Sequence, residues 1–256
     1  MKIDLDINGF LSRVEVIPQQ IHEVYKPILK KIELLYRRKT NSNRIKVLLA
    51  GPPGSGKSTF SKILELLAPK ETSLSIQSLS LDGFHYPNDY LNTNFSNFNG
   101  EKIKLRNIKG TPETYDIESL LSRWDNIDKS NISWPVYDRN LHDPSPEEIS
   151  IESEVIILEG NWVLLDEDRW RCLSKQSDLN IFLKSDEIQV RERLKSRKLR
   201  GGFKNEEVEA HYQRTDRPNI NRVLNNSLNA DLELVWVDVT DPPKLQLNPT
   251  PVLEVV

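Results

Sequence analysis

A single cysteine, Cys172, among 256 residues excludes an internal disulfide and any metal site built from several cysteines. Long apolar runs are also missing. No stretch is long enough to cross a bilayer, and the opening Met1-Lys-Ile-Asp-Leu-Asp6 is too charged for a secretory leader. Nor is positive charge in excess. Lys and Arg number 35 against 38 Asp and Glu, giving a net charge of −3 and a pI near 5.9, so nucleic acid exerts no bulk electrostatic pull on the chain. No internal repeat is visible. These absences set the expectations of a reduced, cytoplasmic setting with neither membrane nor nucleic acid as partner, and a homodimer is left open.

What is present is an ordinary globular composition, 37% hydrophobic and 29% charged, organised around Gly51-Pro-Pro-Gly-Ser-Gly-Lys-Ser-Thr59. This stretch fits G-x-x-x-x-G-K-[ST], a loop that cradles phosphates. Ile45–Ala50 before it reads as a buried parallel strand, and Phe60, Ile63, Leu64 and Leu67 after it recur at helical spacing. Glycines let several N–H groups point at one place, and the new helix adds its unpaired N–H groups and positive end. Gly51, Pro52, Pro53, Gly54, Ser55, Gly56, Lys57, Ser58 and Thr59 are therefore the expected nucleotide-binding residues. Lys57 is expected on the terminal phosphates and Ser58 on Mg²⁺.

The rest of the chain alternates strands and helices. Residues 2–16 suggest a hairpin about Asn8-Gly9, and Pro18–Arg38 an amphipathic helix interrupted by Pro27. Leu74–Leu81 is a strand ending at Asp82. Asn88–Asn107 is polar and aperiodic, which reads as a long loop of the kind that forms lids. Ile117, Leu120, Leu121 and Trp124 mark a helix, and Ile132–Tyr137 a short strand. Asp143–Pro146 reads as a turn, and Val155–Leu158 as a strand ending at Glu159. Leu179–Leu183 and Leu232–Val239 complete the strands. Helices are expected over Glu187–Leu199, Glu206–Tyr212 and Ile220–Leu228, with breaks at Pro69–Ser73 and Asp216–Asn219. This pattern predicts an α/β fold: a three-layer phosphate-loop NTPase architecture with a mostly parallel central sheet, plus an N-terminal hairpin and helix. The expected boundaries are 1–43 for the N-terminal addition, 44–241 for the kinase-like domain and 242–256 for a proline-rich tail.

In such sheets ligands sit beyond the carboxyl ends of the strands. The glycine loop, Asp82 and Glu159 all follow strand ends, so they should meet in one crevice. A phosphate cradle with two acids is the equipment of Mg²⁺-assisted phosphoryl transfer. Asp82 reads as proton acceptor or metal holder, and Glu159 as the second acid for Mg²⁺, beside Ser58. The cation-dense helix before Gly201-Gly202 reads either as a solvated face or as a lid whose arginine (Arg193, Arg197 or Arg200) closes on the transferring phosphate. His85 and His142 lie in polar loops, where each could touch substrate.

Five stretches in order, GPPGSGKST (51–59), LDGFHYPN (81–88), KGTPETYD (109–116), PVYDRNLHDP (135–144) and ILEGNWVLLD (157–166), resemble the phosphoribulokinase / uridine kinase / bacterial-type pantothenate kinase group of P-loop kinases. Within it the chain is similar to a bacterial branch labelled as fructose-transport-associated or nucleoside-kinase-like. The resemblance implies ATP and Mg²⁺ as cofactors, Asp82 as catalytic base with Lys57 and Glu159, and a small-molecule phosphoryl acceptor. It also implies acceptor contacts at Phe84, His85, Tyr137, Asp138 and His142, the last three matching Y-D-x-x-x-H. Pantothenate kinases carry a shorter motif there, so the acceptor need not be pantothenate. A nucleotide-dependent switch is the alternative. Neither an N-K-x-D guanine motif nor an LSGGQ-like signature accompanies the loop to support it.

Overall fold

The computed structural model describes residues 2–7, 10–40, 44–98, 100–200, 202–237 and 244–248, the side chains of Phe10, Phe98 and Arg200 excepted. Strands β1 (Lys2–Ile7) and β2 (Phe10–Glu15) pair as the expected antiparallel hairpin, whose turn lies outside the described residues. The helix that follows comprises α1 (Pro18–Gln20), a π turn over Ile21–Tyr25 and α2 (Lys26–Arg38). Pro27 has no N–H to give, and the widened turn just before it absorbs the mismatch, with the Lys26 N–H reaching back to the Ile21 carbonyl. Strand β3 (Ile45–Ala50) runs into the glycine loop and then α3 (Lys57–Glu71). Next come β4 (Ile76–Ser80), α4 (Asn88–Thr93), the β5 (Phe95–Phe98) and β6 (Glu101–Lys104) hairpin, and α5 (Ile117–Asp125). The chain continues with β7 (Ser133–Asp138), β8 (Asp143–Ser150), β9 (Val155–Gly160), α6 (Arg171–Lys175) and β10 (Leu179–Lys184). It closes with α7 (Glu187–Arg200), α8 (Asn205–His211), α9 (Arg217–Asn225), β11 (Leu232–Val237) and β12 (Lys244–Asn248).

The central sheet has the order β12-β11-β10-β3-β9-β4, parallel throughout except for β12 at its edge. Every residue of β3 and β9 is buried, which explains why both runs are apolar rather than alternating. Successive side chains still point to opposite faces. Val47, Leu49, Val155 and Ile157 join one core with α2, α3 and the N-terminal hairpin. Leu48, Ala50, Ile156 and Leu158 join a second with α5, Trp134 and Trp162. The result is three layers. Tyr25 stacks on Phe60 with ring centroids 5.2 Å apart, tying the N-terminal helix to the helix of the glycine loop.

Four local expectations are corrected. Asn88–Asn107 is not a structureless loop: α4 and the β5–β6 hairpin fill it around a small core of Leu91, Leu105 and Ile108. Three buried apolar residues among asparagines leave no periodic signal. Asp143–Pro146 does not turn but begins β8, which pairs antiparallel with β7 alone. On so narrow a ribbon the missing N–H groups of Pro144 and Pro146 are tolerated. The helix after the loop runs through Pro69 to Glu71, its end closed by the Thr72 N–H and hydroxyl on the Ala68 carbonyl. Asp216–Asn219 does not break the chain either, because a π turn over Tyr212–Asp216 joins α8 to α9 ahead of Pro218. The proline-rich tail contributes β12 to the sheet; Val252–Val256 lies outside the described residues.

Candidate functional site

Register brings the strand ends together. Leu49 and Ser80 both lie opposite Glu159, one on each side of β9. The glycine loop begins two residues beyond Leu49, and Asp82 stands two residues beyond Ser80. Sequence order skips a place here. The chain goes from β3 out to β4, returns to β9 between them, then crosses to β10. Such a reversal opens a crevice at the carboxyl ends.

In the loop, Lys57 is buried at 7% exposure, and its Nζ donates to the Gly51 and Pro52 carbonyls at 2.9 and 3.0 Å and to Asn161 Oδ1 at 2.8 Å. Burial pulls its pKa down to about 8, against the opposing charges of Glu159 and Asp82. Ser58 donates its hydroxyl to Glu159 Oε1 at 2.8 Å. Burial raises the Glu159 carboxyl, with Lys57 only partly offsetting it. Ser55 Oγ is fully buried and unpaired, a donor waiting inside the cradle.

Asp82 sits in a turn of 3₁₀ helix (Leu81–Phe84). Gly83 is required there, because a Cβ would lie 2.0 Å from the Pro135 carbonyl oxygen of β7. The Asp82 carboxylate pairs with the Arg139 guanidinium and accepts from the Tyr115 hydroxyl at 3.3 Å. Burial pushes the Asp82 carboxyl up. The charge and hydrogen bond of Arg139, with the charge of Lys57 behind them, outweigh that push and leave it below its ordinary value. Burial lifts the Tyr115 hydroxyl far above its usual range, so it stays a donor. His85 is buried and stacked on Tyr115 at 3.8 Å between centroids; burial lowers its pKa to about 4, so it is neutral near pH 7.

The donor set fits Mg²⁺, a hard cation that takes a hydroxyl, one or two carboxylates and substrate phosphates. Ser58 and Glu159 are hydrogen-bonded to each other, and they border a polar cavity of about 60 Å³ with Ser61, Ser78 and Ser80. Among the described residues no three His, Cys, Asp or Glu side chains form a self-sufficient metal cluster. A larger groove of about 560 Å³ lies between α7 and α8, lined by Glu192, Lys195, Ser196, Leu199 and Asn205. It holds none of the strand-end acids.

The expected lid helix, α7, packs directly on the loop. Gly54 has a φ of +80°, and a Cβ there would lie 3.0 Å from Leu194 Cγ. Arg193 lies over the Trp236 ring at 4.9 Å, and Trp236 Nε1 donates to the Ser55 carbonyl at 2.7 Å. The charge of Arg197 reaches Lys57 and lowers its pKa. Arg200 ends α7, and its side chain lies outside the described ones.

The five expected acceptor contacts are placed unequally. His85 and Tyr137 face each other at 5.5 Å beside Asp82. Phe84 is 4% exposed and packs edge-on against Trp134, so it anchors the turn from the core side. The Asp138 carboxylate accepts from the Asn140 and Leu141 N–H groups and caps its own loop. His142 is exposed, with a φ of 51°, and its carbonyl receives Lys109 Nζ at 2.6 Å. Sequence reasoning missed Arg139, Tyr115, Lys109 and Asn161. All four lie inside the matched signatures, but nothing in a linear pattern says that they converge on Asp82 and Lys57.

A glycine loop at a sheet's switch point, with acids at the two neighbouring strand ends, defines a P-loop nucleotide-binding protein of the kinase type. Comparison with known proteins agrees. The model of a family described as AAA domain matches residues 47–214. The uncharacterized protein YggC of Escherichia coli is 38% identical over 233 residues, covering 91% of this chain and 94% of its own. A putative uridine kinase of Schizosaccharomyces pombe is 30% identical over 225 residues, covering 83% and 93% respectively. Among solved structures, a putative fructose transport system kinase from Silicibacter superposes with a TM-score of 0.72 at 28% identity, over 82% of this chain and 98% of that one. The chain belongs to this AAA-domain family of P-loop proteins and is related to kinases of the uridine kinase type.

Proposed function

We propose that this protein is an ATP-dependent kinase that transfers the γ-phosphoryl group to a hydroxyl of a small metabolite. The observation that carries the reading is the meeting of Lys57, the Ser58–Glu159 pair and Asp82 at the ends of three adjacent strands. The loop N–H groups and Lys57 bind the nucleotide phosphates. Ser58 and Glu159, with Asp82 at hand, would hold Mg²⁺, which would neutralise charge on the phosphates. The Asp82 carboxylate takes the proton of the acceptor hydroxyl. That oxygen forms a bond to the γ-phosphorus as the bond to the β,γ-bridging oxygen breaks, and ADP leaves with the electron pair. Tyr115 holds the Asp82 carboxylate in place through its hydroxyl.

Asp82→Asn tests the assignment. Removing a general base lowers turnover by about 10²–10⁴-fold, while ATP affinity, set by the loop, stays near wild type. ADP release with and without acceptor, alongside calorimetric ATP binding, reads both. Undiminished turnover in the variant would remove Asp82 from the chemistry.

A further inference from the structure

Two cations stand over one aromatic ring beside Asp82, and a third, Arg106, shares a hydrogen-bond acceptor with one of them. Lys109 Nζ lies 5.2 Å and the Arg139 guanidinium 5.7 Å from the Tyr137 ring centre. Arg106 and Lys109 both donate to the same neutral acceptor, Asn88 Oδ1, Lys109 at 2.8 Å. The available carboxylates are few. Asp82 is engaged by Arg139, and Asp143 stands 4.0 Å from Lys109 while also accepting from the Asn88 N–H. Among the described residues Arg106 meets no carboxylate. Lys109 is only 16% exposed; burial and the charge of Arg106 press its pKa down to about 8. Arg106 is exposed, but gathering its charge and that of the largely buried Lys109 on one amide oxygen still costs free energy that the fold does not need to spend. An anion placed among them would offset that cost.

The second feature is that the proposed base is locked. Arg139 holds the Asp82 carboxylate in an ion pair, which weakens it as a proton acceptor. A neutral acceptor offers nothing to draw Arg139 away. An anionic acceptor does.

We propose that the phosphoryl acceptor carries a carboxylate or phosphate that binds Arg106, Lys109 and Arg139, and that engaging Arg139 frees Asp82 to take the hydroxyl proton. This rests on the kinase reading and narrows it. Recognition of the anion and activation of the base become one event, an ion-pair exchange in which no covalent bond changes. Arg139 is then a specificity residue of the acceptor site.

The experiment uses matched pairs that differ only in the anion: D-glycerate and glycerol, pantothenate and pantothenyl alcohol, ribulose 5-phosphate and ribulose. The first two pairs test a carboxylate and the third a phosphate. Binding is measured by calorimetry with the glycine loop filled by a non-hydrolysable ATP analogue and Mg²⁺, so that phosphate cannot report the loop. At least one anionic member should bind, with its neutral partner about tenfold weaker or more. Lys109→Met and Arg106→Gln should each weaken it by a similar factor, and analogue binding serves as the folding control. No binding by any anionic member, equal binding by its neutral partner, or indifference to both substitutions would overturn the proposal. ADP release with hydrolysable ATP separates the two readings. An anion that binds without stimulating ADP release sinks the kinase and leaves the anion site standing. Equal stimulation by neutral and anionic members keeps the kinase and sinks the anion requirement. Arg139→Gln should compress the anionic-to-neutral ratio of kcat/KM; an unchanged ratio would also refute the exchange.

Discussion

Nucleotide affinity measured from about pH 7 to about pH 9 perturbs one group of the cradle, Lys57. Its ammonium lies among the Gly51 and Pro52 carbonyls and Asn161, and burial has brought its pKa from 10.5 to about 8. Phosphates bind the charged form. Once the pH exceeds the pKa of the free protein, each further unit weakens binding toward tenfold, so an affinity loss of about tenfold is expected by about pH 9. Lys57→Arg, which stays charged, should flatten the profile even if it binds less well throughout. Folding stability without nucleotide should move the other way. The folded pKa lies below the unfolded one, so between about 8 and 10.5 the unfolded chain holds the extra proton, and stability rises with pH by up to roughly 3 kcal/mol. Calorimetric titration with ATP and Mg²⁺ gives the first profile and urea unfolding the second. Affinity that stays flat to about pH 9 in the wild type would refute the argument that burial has tuned Lys57.

His85 gives the acid-side counterpart. Its folded pKa of about 4 lies below 6.5, so its neutral form contributes stability that is fully present above about 6.5 and fades as pH falls toward 4, roughly 3 kcal/mol at most. His85→Gln should remove that slope from urea midpoints, and a slope that persists would point to other groups. Gly83→Ala puts a methyl 2.0 Å from a backbone oxygen. It should destabilise by about 1–3 kcal/mol and lower turnover as the Asp82 turn shifts, with the melting temperature and ADP release as readouts.

Some of this was written in local sequence. The strand–glycine loop–helix order needs only neighbours in the chain, because the loop's N–H groups and the helix start form wherever φ and ψ allow. Apolar runs at 45–50 and 155–158 declared strands, and the hairpin about Asn8-Gly9 declared its own pairing. Asp82 and Glu159 were legible as strand-end acids. Tertiary structure decided what those acids meet. The order β10-β3-β9-β4 follows from how helices cover the two faces, and that order puts Glu159 level with Ser80 and Leu49. Arg139 reaches Asp82 across 57 positions, and Asn161 reaches Lys57 across 104. Such contacts have no period and leave no trace in a linear pattern. The strand at Lys244–Asn248 and the small core under Asn88–Asn107 stayed hidden for the same reason: edge pairing and three scattered side chains are settled by what the rest of the fold presents to them.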